Sequence, residues 1–164
     1  VASVNLHKRD ADLAVRMVRP IQGDVIARHL GDMPLGFYAS DGYLVRHGAP
    51  RRPDDLRDHA MVGYDRSDLI RRGFAEAGYP APRAMFRLRT DDQPCAWSAA
   101  AAGCGIGITQ VALGDATPGM TRVLKDAALP ALPVWLVMHE ALRGSRPARR
   151  VWDALADGLG ALVR

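Results

Sequence analysis

Hydrophobic and polar residues alternate along the chain in short blocks separated by glycine and proline, and the period of each block predicts its element. Leu13 and Val15 alternate with polar neighbours over Asp12 to Met17, which predicts a strand broken at Arg19-Pro20. A second strand is expected over Val25 to Leu30, with Gly31-Asp32 turning out of it, and a compact apolar strand over Leu35 to Ser40. Ser40 or Asp41 can cap a short helix through Tyr43, Leu44 and Arg46, closed by Gly48 and Pro50. Pro53 to Leu56 reads as one helical turn and Met61 to Tyr64 as a strand. Leu69, Ile70, Phe74 and Ala77 recur at helical spacing before Gly78. Pro80 and Pro82 lead into a strand over Arg83 to Arg89. Met120 to Leu124 suggests a short strand or turn, and Leu132 to His139 is the most apolar strand of the chain. Ser145-Arg146-Pro147 opens a last helix with Val151, Trp152, Leu155, Leu159 and Leu162 on one face. Val1 to Lys8 is ambiguous between strand and helical turn.

The stretch from Arg89 to Gly114 organises the rest. It reads as strand end, turn, helix, glycine corner and second strand. Phe86, Leu88 and Thr90 alternate with Arg87 and Arg89; Thr90, Asp91 and Asp92 are all good helix N-caps, and Pro94 suits a first helical turn. Gly103 is placed to end the helix in a left-handed cap, and Gly105 and Gly107 to let other backbone come close to a strand through Ile106 and Ile108. A helix that begins after a strand points unpaired N–H groups into the space beyond it, where an anion can sit. The alternative is that Thr90-Asp91-Asp92 only caps a core helix. Strands alternating with helices predict an α/β architecture with largely parallel pairing, and ligands of such folds lie beyond the carboxyl ends of strands.

Composition narrows the classes of function. The chain has 164 residues, is 48% hydrophobic and 24% charged, and so can bury a core. No apolar run of 18 residues and no leader pattern occurs, which predicts neither a membrane span nor an export signal. The formal charge is +4 and nearly all basic residues are arginine. They are scattered, with pairs at Arg51-Arg52, Arg71-Arg72 and Arg149-Arg150 and no interleaved aromatics, so no nucleic-acid surface is predicted. Cys95 and Cys104 lack metal-ligand spacing and are expected to be small, buried and reduced.

Catalytic motifs are absent. Gly103, Gly105 and Gly107 follow a helix and enter a strand, the reverse of a phosphate loop. His7, His29, His47, His59 and His139 are widely spaced, and none accompanies a serine or cysteine nucleophile. Trp135 and Trp152 read as core residues, and Trp97 as a core residue that could also approach a ligand. No metal, cofactor or enzymatic activity is predicted.

Five segments carry a family resemblance: ADLAVRMVRP, VIARHLGDMPLGFYASDGYLVRHGAP, DDLRDHAMVGYD, AAAAGCGIGI and LPVWLVMHEALR. Together and in this order they resemble the effector-binding domain of LysR-type transcriptional regulators, over nearly the whole chain. The resemblance implies two Rossmann-like lobes of the type II periplasmic-binding-protein kind. Residues 1–34 and 133–164 would be part of lobe I, and residues 35–132 lobe II. The family's winged helix-turn-helix, linker helix and opening strands of lobe I precede this match, so the resemblance implies an N-terminally truncated chain with its first lobe incomplete. It implies a small-molecule effector, such as an organic acid, held between the lobes. It also implies a dimer or tetramer when full length, DNA contact only through the missing helix-turn-helix, no membrane partner and a cytoplasmic location. The effector residues it implies are Arg16, Met17 and Val18, then Ser40 and Asp41, then Thr90, Asp91, Asp92 and Gln93. For Arg16 the alternative is an ion pair to Asp12 or Asp10, and for Ser40, Asp91 and Asp92 it is helix capping. A periplasmic solute-binding protein of the same fold class is the alternative function.

Overall fold

A computed structural model describes residues 11–21, 23–79 and 81–163. The expectations for Val1 to Lys8, for His7 and for Pro80 fall outside these residues. In chain order the strands are β1 (Leu13–Arg16), β2 (Val25–Met33), β3 (Leu35–Ser40), β4 (Met61–Gly63), β5 (Phe86–Arg89), β6 (Gly107–Gln110), β7 (Met120–Val123) and β8 (Leu132–His139). The helices are α1 (Asp41–His47), α2 (Leu69–Glu76), α3 (Gln93–Ala101), α4 (Val111–Asp115) and α5 (Arg146–Leu162), with 3-10 turns at Pro53–Asp58, Arg83–Met85 and Glu140–Leu142. The chain divides into two compact units: a terminal unit of Val1–Pro34 with Ala131–Arg164, and a central unit of Leu35–Pro130.

In the terminal unit β8 lies between β1 and β2, antiparallel to both. Its central place explains why Leu132–His139 is so apolar, since Val134, Leu136, Val137 and Met138 are all buried. One sheet face packs Leu136 and Met138 against Ala148, Trp152 and Ala156 of α5. These three lie at i, i+4 and i+8, one helical face. The expected stripe holds at Trp152 and Leu155, which belong to this cluster, and is corrected at Val151 and Leu162, which are 49% and 51% exposed; small alanines let α5 approach the sheet. The expected turn at Gly31-Asp32 is a bulge within β2 instead, between His29 and Gly31. Only glycine fits there, because a Cβ on Gly31 would lie 2.6 Å from Val163 Cγ2.

The central unit orders its strands β6-β3-β7, all pairs antiparallel, and β4-β5, parallel. A parallel bridge Met61–Ile106, with Val62 N–H donating to Ile106 O at 2.8 Å, joins β4 to the start of β6. The expected parallel pairing is thus confined to this junction, and the other pairs in both units are antiparallel. Residue alternation reports which face a side chain takes and says nothing of strand direction. Phe37, Tyr43, Leu56, Met61, Phe74, Phe86 and Ile106 form the core, with Phe74 edge-on to both Phe37 and Phe86. Gly103 ends α3 region with φ 84°, and a Cβ on Gly105 would meet the Ala60 carbonyl oxygen at 2.5 Å. The close backbone approach expected of these glycines is present. Two short elements differ from the reading: Arg83–Met85 is a 3-10 turn and Val111–Asp115 is helical.

Candidate functional site

The parallel register of β4 and β5, which ends at Gly63 opposite Arg89, brings both carboxyl ends to one sheet edge. Thr90 N–H donates to Gly63 O at 3.0 Å and locks the turn after β5 to the end of β4. Thr90 Oγ1 then accepts from Asp92 N–H at 3.1 Å. Asp92 is the N-cap of α3, its Oδ1 accepting from Cys95 N–H at 2.8 Å, and Gln93 and Pro94 follow as exposed first-turn residues.

Asp91 does something that capping patterns do not predict. Its carboxylate accepts N–H bonds from Asp65, Arg66 and Ser67 at 3.2, 3.2 and 3.3 Å. It therefore braces the loop after β4 against the turn after β5. Desolvation pushes the Asp91 carboxyl up, but the N–H groups of Ser67, Arg66 and Asp65 outweigh it and leave the group below the usual aspartate range. Burial, and then the Asp91 charge, raise the neighbouring Tyr64 phenol.

Residues that sequence reasoning missed complete this rim. Arg83 forks onto Asp65, donating from Nη1 to its carbonyl oxygen at 2.6 Å and from Nη2 to Oδ1 at 2.7 Å. Arg89 Nε lies 3.4 Å from the same Oδ1. Two guanidinium groups thus share one carboxylate, while backbone N–H groups satisfy Asp91. The alternation that exposes Arg89 was visible in sequence. Its meeting with Asp65 and Arg83 depends on strand pairing and has no local signal.

Ser40 and Asp41 are placed elsewhere. Ser40 is the N-cap of α1, its Oγ accepting from Tyr43 N–H at 3.3 Å, and it is buried. Asp41 N–H donates to Gly119 O at 3.0 Å and Asp41 Oδ1 accepts from the Thr121 hydroxyl at 2.6 Å. Because β3 runs antiparallel to β6, and β6 continues from the parallel bridge with β4, the carboxyl end of β3 lies at the sheet edge opposite that of β4 and β5. The central unit therefore keeps Ser40 and Asp41 apart from Thr90, Asp91, Asp92 and Gln93. Gln110, at the end of β6, shares the edge of the latter group and accepts from the Thr109 hydroxyl at 3.0 Å.

In the terminal unit Arg16 ends β1 directly across from Trp135, Met17 is half-buried and Val18 is 65% exposed. The His29 ring lies 4.8 Å from the Trp135 ring, and the Arg19 guanidinium 5.9 Å from its centroid. Trp135 is only half-buried and its inaccessible Nε1 has no hydrogen-bond partner among the described residues, which corrects the expectation of a plain core residue. Asp10, the other alternative partner of Arg16, falls outside the described residues.

Among the described residues no group of three or more His, Cys, Asp or Glu side chains could hold a metal, and no helix is long and apolar enough to cross a membrane. Cys95 and Cys104 are free and both exposed, against the expectation of burial. The cause is local: Cys95 stands in the first turn of α3, beside its cap, and Cys104 in the turn beyond its end.

Residues 3–160 match the family model for the LysR substrate binding domain. The transcriptional regulator CrgA of Neisseria meningitidis is 34% identical over 61 residues, which is 37% of this chain and 20% of that protein. The regulator YhjC of Escherichia coli is 43% identical over 53 residues, 32% of this chain and 18% of that protein. The aligned stretches thus span about a fifth of the length of these curated relatives. The fold of the CrgA regulatory domain superimposes with a TM-score of 0.80 at 22% identity, covering 93% of this chain and 78% of that one. The AmpR effector domain of Pseudomonas aeruginosa does so with 0.70 at 21% identity, covering 98% and 77%. The matched relatives are transcriptional regulators, which favours the regulatory reading of the fold over solute transport.

Proposed function

The chain belongs to the LysR substrate-binding domain family, and from that membership we propose that it senses a small-molecule effector for a LysR-type transcriptional regulator. The family is a class of regulatory domains and not of enzymes. The observation that carries the reading is the rim at the carboxyl ends of β4 and β5, where Asp91 braces one loop against the other. Ligands of open α/β sheets bind beyond such strand ends.

In this reading Thr90, Asp91, Asp92 and Gln93 serve the effector from the central unit, with Asp91 and Asp92 acting as supports whose carboxylates are already satisfied. Arg16, Met17 and Val18 serve it from the terminal unit. Ser40 and Asp41 are kept as candidates of second rank, because their polar atoms are engaged in capping α1 and holding Gly119 and Thr121. Arg83 and Arg89 both pair with Asp65, and the Asp91 and Asp92 carboxylates are occupied by backbone N–H groups, so an acidic effector such as an organic acid would be held by the arginines. The effector would act by binding one conformation of the regulator better than another, since differential affinity alone shifts such an equilibrium. DNA contact would fall to the helix-turn-helix for which the relatives are named, and assembly into dimers or tetramers to the whole regulator.

A thermal-shift screen of the purified chain against small organic acids tests this. A ligand at 100 times its dissociation constant stabilises the fold by about 2.7 kcal/mol. The expected result is a hit whose shift is lost in Thr90→Val or Arg16→Ala. A hit that both variants bind with unchanged affinity would sink this placement of the site.

A further inference from the structure

Away from the rim, a three-residue chain of hydrogen bonds links α1 to the start of β4. Tyr43, 2% exposed, accepts the Ala60 N–H on its hydroxyl oxygen at 3.0 Å. The same oxygen lies 3.1 Å from His59 Nδ1. The oxygen accepts from Ala60, and His59 Nδ1 is the acceptor within reach of the Tyr43 hydroxyl hydrogen among the described residues, so the pairing that leaves no O–H unused has Tyr43 donating to Nδ1. That assigns the neutral imidazole with its proton on Nε2. Protonated His59 would have donors on both nitrogens. The Tyr43 O–H, on a side chain that is almost wholly buried, would then be left with no acceptor among the described residues, a cost that a buried polar group carries in full.

The junction is a crowded one. Ala60 O accepts from Ile106 N–H at 2.8 Å and abuts Gly105, so the bond from Tyr43 fixes α1 to both β4 and the turn after α3. Arg46 of α1 reaches the same turn, donating to Gly103 O at 3.3 Å. The titratable groups that face His59 come from two elements. His47 of α1 lies against the Tyr43 ring with centroids 4.5 Å apart, and Asp55 and Asp58 lie on the 3-10 turn before His59. Burial, followed by His47, holds the His59 imidazole below its ordinary range, against a weaker pull upward from Asp58 and Asp55. The Asp55 carboxylate is itself occupied by Arg51 N–H, Arg52 N–H and Arg52 Nε.

We propose that Tyr43 and His59 form an acid-sensitive latch, which ties α1 to the head of β4 while the imidazole is neutral and releases it on protonation. This device is independent of the effector reading. It makes the central unit lose stability as pH falls below the ordinary histidine range, because the unfolded chain then takes up a proton that the folded chain resists.

The test is a histidine C2–H NMR titration of the whole chain, with thermal melts between pH 8 and pH 5. The expected result is that His59 titrates below its ordinary value, and that Tyr43→Phe moves it back toward that value. His59→Asn offers an acceptor oxygen near the Nδ1 position and does not titrate. It should melt at pH 8 within a few degrees of the unaltered chain and lose much of the acid slope, whereas His47→Asn should keep most of that slope. His59 titrating at or above its ordinary value, or an acid slope that survives His59→Asn, would overturn the latch.

Discussion

The Tyr38 hydroxyl donates a 2.6 Å hydrogen bond to Asp115 Oδ1, joining the middle of β3 to the last residue of α4 across 77 positions of sequence. The Tyr38 ring is fully buried, edge-on to Trp97, and its hydroxyl also reaches Val111 O at 3.3 Å. Burial, then the bond to Asp115, push the Tyr38 phenol up to about 12. The short helix α4 is thus held against the sheet at the point where the chain leaves the β6 edge of the rim.

Gly114 makes this contact possible, and its replacement is expected to damage the central unit. A Cβ there would stand 2.2 Å from Tyr38 Cζ, and the ring is fully buried. Gly114→Ala is expected to cost at least about 1–3 kcal/mol, the usual penalty for overpacking. Urea denaturation measures it, and a change under about 0.5 kcal/mol, within the range of inert surface substitutions, would show that α4 can shift freely.

Asp91 is expected to tie stability to acid pH. Its carboxyl sits below the usual aspartate range in the folded chain, so its contribution is present above the ordinary aspartate value and is lost as pH falls through the lowered one. Asp91→Ala should lower the melting temperature at pH 7 and flatten the decline between pH 5 and pH 3. It should also speed hydrogen exchange at the amides of Asp65, Arg66 and Ser67, which lose their acceptor. Unchanged protection of these three amides would mean that the brace is not formed in solution.

Both cysteines are expected to react in the native chain. Cys95 and Cys104 are free and exposed, and a thiol must be accessible to be modified. A disulfide-exchange reagent should release two equivalents of its leaving group without denaturant. Release only after unfolding would place the thiols in contacts that the structure does not contain.

What the sequence by itself determined follows from local physics. Strands with period two, caps at Ser40, Asp92 and Ser145, and the left-handed Gly103 at the end of α3 all depend on neighbours within a turn or two of chain. The family, too, was legible in linear order, since its segments recur in sequence. Strand direction, by contrast, was decided only when β3 paired antiparallel between β6 and β7, and this moved Ser40 and Asp41 to the opposite edge from Thr90. The Asp91 brace, the arginines on Asp65, the Tyr38–Asp115 bond and the Tyr43–His59 pair were likewise decided in three dimensions. Each joins residues 16 to 77 positions apart through hydrogen bonds to particular atoms. Periodicity records whether a side chain turns inward or outward, and it cannot name the distant backbone amide or carboxylate that waits there.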